Sequence, residues 1–162
     1  MERRELIKIL AASAVAAPVF AAAESAVLDR IADIILPSDE LGPGAHEAGV
    51  GRFLDLAASL NAQRRQSWSR GMAAVEAAAR SRFSAGFMEC SRAQQEQIVE
   101  SMAQNEGHPT NDLERFFTSL KPAVIDGYRY SEVGVKQFMK WEGNHMDVSA
   151  WKGECKHPEH LA

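Results

Sequence analysis

Cys155, His157 and His160 stand close together in Gly153-Glu154-Cys155-Lys156-His157-Pro158-Glu159-His160. A thiolate and two imidazoles are soft and borderline metal ligands, so Cys-x-His-x-x-His offers three donors, with His145 or Glu159 as a fourth. The spacing matches no common zinc module, and a Cys-x-x-Cys-His haem attachment is absent. Asp39, Glu40, His46 and Glu47 surround a loop rich in proline and glycine. A His beside a carboxylate is the pattern of an oriented general base. No nucleophile with a recognisable context lies near it, so a loop stiffened by Pro37 and Pro43, with Asp39 capping a turn, explains the same residues. Cys90 and Cys155 are the only thiols. In an oxidising compartment they are a candidate disulfide; otherwise one is a buried thiol and the other a tail thiol. No glycine pattern fits a dinucleotide or phosphate loop.

The elements that would position these residues are helical. The chain has 162 residues, the length of one domain. Alanine supplies 26 of them, while Val, Ile and Thr are sparse, a composition that favours helix over strand. The net charge of −4 argues against an electrostatic nucleic-acid binder. Apolar and charged fractions of 46% and 25% are those of a globular protein.

Residues 1–23 differ from the rest. Arg3, Arg4 and Lys8 form a basic start, Ile9 to Ala23 is weakly apolar, and Ala21-Ala22-Ala23 offers the small residues of a cleavage site, with Ala21 and Ala23 ahead of a cut that removes residues 1–23. The apolar run of 15 residues is shorter than the roughly 20 that span a bilayer. Glu2-Arg3-Arg4-Glu5-Leu6-Ile7-Lys8 resembles a twin-arginine export signal, which implies passage across the membrane in a folded state and a periplasmic location. Without residues 1–23, 139 residues remain, with a net charge of −5.

Apolar residues then recur at helical spacing. Leu28, Ile31 and Ile35 share one face of a helix over Val27–Leu36, which Pro37 stops. Pro37 to Gly49 is an ordered loop. A second helix runs from about Val50 to Leu60, with Phe53, Leu54, Ala57 and Leu60 inward. The clearest amphipathic pattern is Trp68, Met72, Val75, Ala79 and Phe83, in which four alanines between Ala74 and Ala79 offer a close helix contact. Ser91 with Gln94 is a capping box for a helix carrying Ile98 and Met102. Asn111 or Asp112 caps the next, with Leu113, Phe116, Phe117, Leu120 and Val124 inward and Pro122 expected to kink or split it. A short helix follows at about Val133–Trp141, and residues 143–162 form a turn-rich tail. No segment shows strict alternation. The expectation is an all-α single domain of five or six helices with an irregular carboxyl tail. Seven of the twelve aromatics follow residue 115, which makes Tyr128, Tyr130, Trp141 and Trp151, with His157 and His160, candidate interface residues.

Leu28-x-x-Ile31-x-x-x-Ile35-Leu36-Pro37-x-Asp39, followed by Pro43-Gly44-Ala45-x-x-Ala48-Gly49-Val50-x-x-Phe53-Leu54-Asp55, resembles the opening of the gluconate 2-dehydrogenase subunit 3 family. Tyr128-x-Tyr130-Ser131-x-x-Gly134-Val135 and the Cys-x-His-Pro-Glu-His ending are similar to its later blocks, with Glu154 as a departure between Gly153 and Cys155. The resemblance implies a small subunit with no catalytic residue, cofactor or metal of its own. It implies a GMC-type large subunit that holds FAD and oxidises a sugar or polyol, and a c-type cytochrome with haem c that takes the electrons. It further implies that the twin-arginine translocase exports large and small subunits together on the small subunit's signal, a hitch-hiker role. Two other readings remain at this point: a self-sufficient helical metalloprotein using Cys155, His157 and His160, and a free periplasmic chaperone.

Overall fold

The computed structural model describes residues 19–40 and 42–138. The chain runs through α1 (Ala22–Ile35), α2 (Val50–Ser59), α3 (Ala62–Phe83), a 3₁₀ turn (Phe87–Glu89), α4 (Arg92–Ala103), α5 (Asp112–Arg129) and a π-helical turn (Gly134–Phe138). Among the described residues there is no strand, only an isolated bridge between Asp39 and Gly42. The fold is all-α, as expected. Residues 143–162 and the leader up to Pro18 lie outside the described residues.

Side chains set most helix starts. Asn61 Oδ1 accepts the Arg64 amide at 2.9 Å and opens α3. Ser91 and Gln94 form the expected reciprocal box at α4. Asn111, not Asp112, caps α5. Leu60 departs from expectation: it is 79% exposed. Helix α2 ends one residue before it, so Leu60 leaves the buried stripe at the turn into α3. Pro122 neither splits nor ends α5. It sits on the exposed face, and packing of the opposite face against the other helices overrides the single missing amide donor.

The core joins Leu28, Ile31, Leu54, Trp68, Met72, Val75, Ile98, Met102, Phe116, Leu120 and Val124. Helices α1 and α5 each pack against all four others. The tightest crossing is α3 on α5, and it uses Gly71 where the alanines after it had been expected to serve. A Cβ built on Gly71 falls 2.2 Å from Phe116 Cγ and 2.5 Å from its Cβ. Of the alanines, only Ala79 is buried. One turn before Gly71, the buried Trp68 donates its indole N–H to Ser119 Oγ at 2.9 Å, which satisfies the one polar atom that its burial would strand. On the surface, Arg92 bonds Asp33 at 2.6 Å and ties α4 to α1, an exposed pair whose energetic contribution is small.

Glu114 is the acidic member of the α5 cap and is buried. It accepts from the Thr110 amide at 2.6 Å, Asn105 Nδ2 at 2.7 Å, Thr110 Oγ1 at 2.8 Å and the Asn111 amide at 3.4 Å. These donors, the Thr110 amide foremost, bring its carboxyl from an ordinary 4.5 down to about 2.

Two outcomes follow from the packing and the cap. Gly71→Ala gains up to about 1 kcal/mol in helix propensity but overpacks against the root of a buried ring, at about 1–3 kcal/mol. Its thermal midpoint should therefore fall by several degrees, and an unchanged midpoint in calorimetry would show that Phe116 yields freely. Because the folded-state pKa of Glu114 is depressed, its stabilisation is complete above about pH 4.5 and is lost as pH falls through about 2. Urea unfolding of wild type and Glu114→Gln should show a stability gap that is widest above pH 4.5 and closes towards pH 2.

Candidate interface

The loop between α1 and α2 is held by its own backbone. The Ala45 amide donates to Leu36 O at 2.8 Å, and the Val50 amide donates to Ala45 O at 3.0 Å. Ala45 is itself buried in the core. Asp39 and Gly42 exchange backbone bonds of 3.0 and 3.2 Å, and Asp39 Oδ1 also accepts the Gly42 amide, so Asp39 caps a turn. Gly44 is required by space: a Cβ there would stand 2.5–2.6 Å from backbone atoms of Leu36, Pro37 and Ser38. Its amide donates to Ser38 Oγ at 3.0 Å and Glu47 Oε2 at 3.2 Å. The Ser38 hydroxyl foremost, with loop amides, holds the Glu47 carboxyl below its ordinary range. Gly49 precedes α2 with φ of +68°.

The loop is braced from 85 residues away. Tyr128, on the last turn of α5, donates its hydroxyl proton to Pro43 O at 2.9 Å. Tyr128 is half-buried, so this candidate interface residue acts first as a brace. Between loop and helix lies a groove of about 290 Å³, lined by Leu36, Pro37, Asp39, Gly42, Pro43, Ile125, Tyr128 and Arg129. Just past it, Tyr130 is 73% exposed. Ile125 is also exposed and was missed from sequence, although its place off the stripe of Leu120 and Val124 is visible there.

The acidic and imidazole groups of the loop do not assemble into one site. Asp39 faces the groove, whereas His46 and Glu47 line a separate cavity of about 420 Å³ with Asp29, Arg30, Asp33 and Met88. Burial raises the Asp29 carboxyl, and nearby His46 partly opposes that. Among the described residues no hydroxyl or thiol nucleophile lines this cavity. A larger cavity of about 590 Å³ separates α1 and α3 from the 3₁₀ turn. Its carboxylates are caps: Glu24 accepts the Ala21 amide, Glu76 that of Phe87 and Glu89 that of Gly86. Among the described residues Cys90 is a buried thiol without a disulfide partner, and burial, then Glu76 and Glu89, raise its proton affinity.

Among the described residues no three His, Cys, Asp or Glu side chains are placed to hold a metal ion. Arg3, Arg4, Lys8, Trp141, Trp151, Cys155, His157 and His160 lie outside the described residues, and so does any Cys90–Cys155 pairing. Ala21 and Ala23, expected as the small residues ahead of a cleavage, are respectively the N-cap and the second residue of α1.

Removing the Tyr128 hydroxyl should release the loop without unfolding the core. Tyr128→Phe should lower stability by about 1 kcal/mol, the usual worth of such a bond. Hydrogen exchange should quicken at the Gly44 and Ala45 amides while Met72 and Leu120 keep their protection; unchanged loop exchange would deny the brace.

The gluconate 2-dehydrogenase subunit 3 family model matches residues 22–145, which take in all five α-helices, the braced loop and the groove. No curated protein and no solved structure matches the chain significantly. A match over so much of the chain, with the Pro43-Gly44-Ala45 loop and Tyr128 in mutual contact inside it, is sufficient: the chain belongs to the gluconate 2-dehydrogenase subunit 3 family, named for a subunit of a dehydrogenase complex.

Proposed function

We propose that the chain is the small, non-catalytic subunit of a periplasmic flavin-dependent sugar or polyol dehydrogenase of the gluconate or glucoside type. Its tasks are export, folding support and stabilisation of a GMC-type large subunit. That large subunit carries FAD and the oxidation chemistry, and a c-type cytochrome receives the electrons. The family match over residues 22–145 carries this reading. The chemistry of the described residues supports it, because Glu24, Glu47, Glu76 and Glu89 beside the cavities are engaged with backbone amides. Ile125 and Tyr130, exposed beside a rigid groove, supply apolar and aromatic surface of the kind that protein interfaces cover.

Export rests on Arg3, Arg4 and Lys8 ahead of a weakly apolar run. A large subunit lacking its own signal would cross the membrane only while bound to this chain, which requires a folded, stoichiometric complex before transport. A chaperone that releases its client would not persist in such a complex.

The double variant Arg3→Lys with Arg4→Lys should leave both this chain and its dehydrogenase partner in the cytoplasm. Cell fractionation with a dehydrogenase assay reads this directly. Normal periplasmic activity in the double variant would remove the export role, and failure of the two chains to co-purify in a fixed ratio would remove the subunit role.

A further inference from the structure

The small residues that suit a cleavage site are part of the folded domain. Ala21 is the extended N-cap of α1, and Ala22 and Ala23 are its first two helical residues. The Ala21 amide donates to Glu24 Oε2 at 3.1 Å, Ala21 O accepts the Ser25 amide at 2.9 Å, and Glu24 Oε1 accepts the Ser69 hydroxyl of α3 at 3.3 Å. Immediately upstream, Phe20 is only 3% exposed and belongs to the hydrophobic core, with Val19 packed against it. The amides of Val19 and Phe20 both donate to Asp55 Oδ1 on α2, at 2.9 and 3.3 Å.

We infer that folding closes the Ala21-Ala22-Ala23 cleavage site, so the folded protein keeps Val19–Ala23 as a latched part of its domain. The inference deepens the export reading above and rests on residues 1–18 being a leader. A protease draws its substrate into an extended strand, so attack on a helical segment follows the population in which that segment is open. Opening here requires three linked events: the first turn of α1 unwinds, both amides leave Asp55, and Phe20 leaves the core. The side chains of Ala21, Ala22 and Ala23 are exposed, so conformation alone guards the site. A chain that crosses the membrane already folded presents a closed site to the peptidase on the far side. A cut made after Ala23 would also take away Phe20 and leave the Asp55 carboxylate without either donor. The exported domain therefore keeps Val19–Ala23, and any cut that frees the leader falls at or before Val19.

The test uses the purified full-length chain and elastase, which cuts after small residues, with mass spectrometry reading cleavage after Ala21, Ala22 or Ala23. Wild type in native buffer should be cut there at least tenfold more slowly than wild type unfolded in urea. Phe20→Ala, and Asp55→Ala with Phe20 left in place, should each speed native cleavage about tenfold, with circular dichroism confirming that the helices remain. Native wild type cut as fast as the unfolded chain overturns the latch, whatever the variants do. In cells, an exported chain whose amino terminus lies at or before Val19 supports the inference, and one that begins at Glu24 overturns it. A chain that stays in the cytoplasm counts against the leader, and the elastase comparison then decides the latch alone.

Discussion

The contact on which the rest of the structure depends is the crossing of α3 over α5, where Gly71 lets the ring of Phe116 lie directly on the α3 backbone. Close approach at this point brings Trp68 within reach of Ser119 and seals the indole without a stranded donor. It also sets the height of α5, which every other α-helix then uses as a wall. A single methyl group at Gly71 would lift α5 from α3, and a close-packed interior has little slack to absorb that lift. Interactions elsewhere are more forgiving. The Arg92–Asp33 pair spans α4 and α1 on the surface, where water competes for both partners.

Two side chains attach irregular chain to this frame through long-range bonds. Tyr128 reaches from α5 to Pro43 and fixes the loop after α1. Asp55 reaches from α2 to the Val19 and Phe20 amides and fixes the segment before α1. Both ends of α1 are therefore bound to other helices, and the exposed groove beside Pro43 has rigid walls on both sides. Rigid walls suit a subunit that offers a surface to a partner, since little conformational freedom is left to lose on association.

The same economy appears in the ionisable groups. Glu24, Glu47, Glu76, Glu89 and Glu114 all accept backbone amides. A carboxylate so engaged spends its oxygens on backbone donors, and for Glu47 and Glu114 those donors lower the proton affinity, the opposite of the raised value a general acid needs. Asp29 is the carboxyl with a raised value, and burial explains it. With His46 it lines a cavity whose described residues include no hydroxyl or thiol nucleophile. At Glu47 and Glu114 ionisation stabilises the fold.

The sequence by itself determined what depends on neighbours along the chain. Periodicity gave the stripe from Trp68 to Ala79 and that from Phe116 to Val124, and the boxes at Ser91 and Asn111 marked two helix starts, because caps and helix faces are set within four residues. The Pro43-Gly44-Ala45 loop also carried the family resemblance that the match over residues 22–145 bears out. Tertiary structure alone decided the rest. Gly71, an ordinary helix-weakening residue in sequence, became the crossing point because Phe116 lies above it. Pro122 was tolerated because it faces water while its helix packs on the opposite side. Leu60 turned outward because α2 ends just before it. Phe20 falls inside the weakly apolar run of the leader, yet it is core, since Asp55, which accepts its amide, lies 35 residues away. Local patterns record which helices form; only the distances between helices record which small residue, proline or aromatic holds them together.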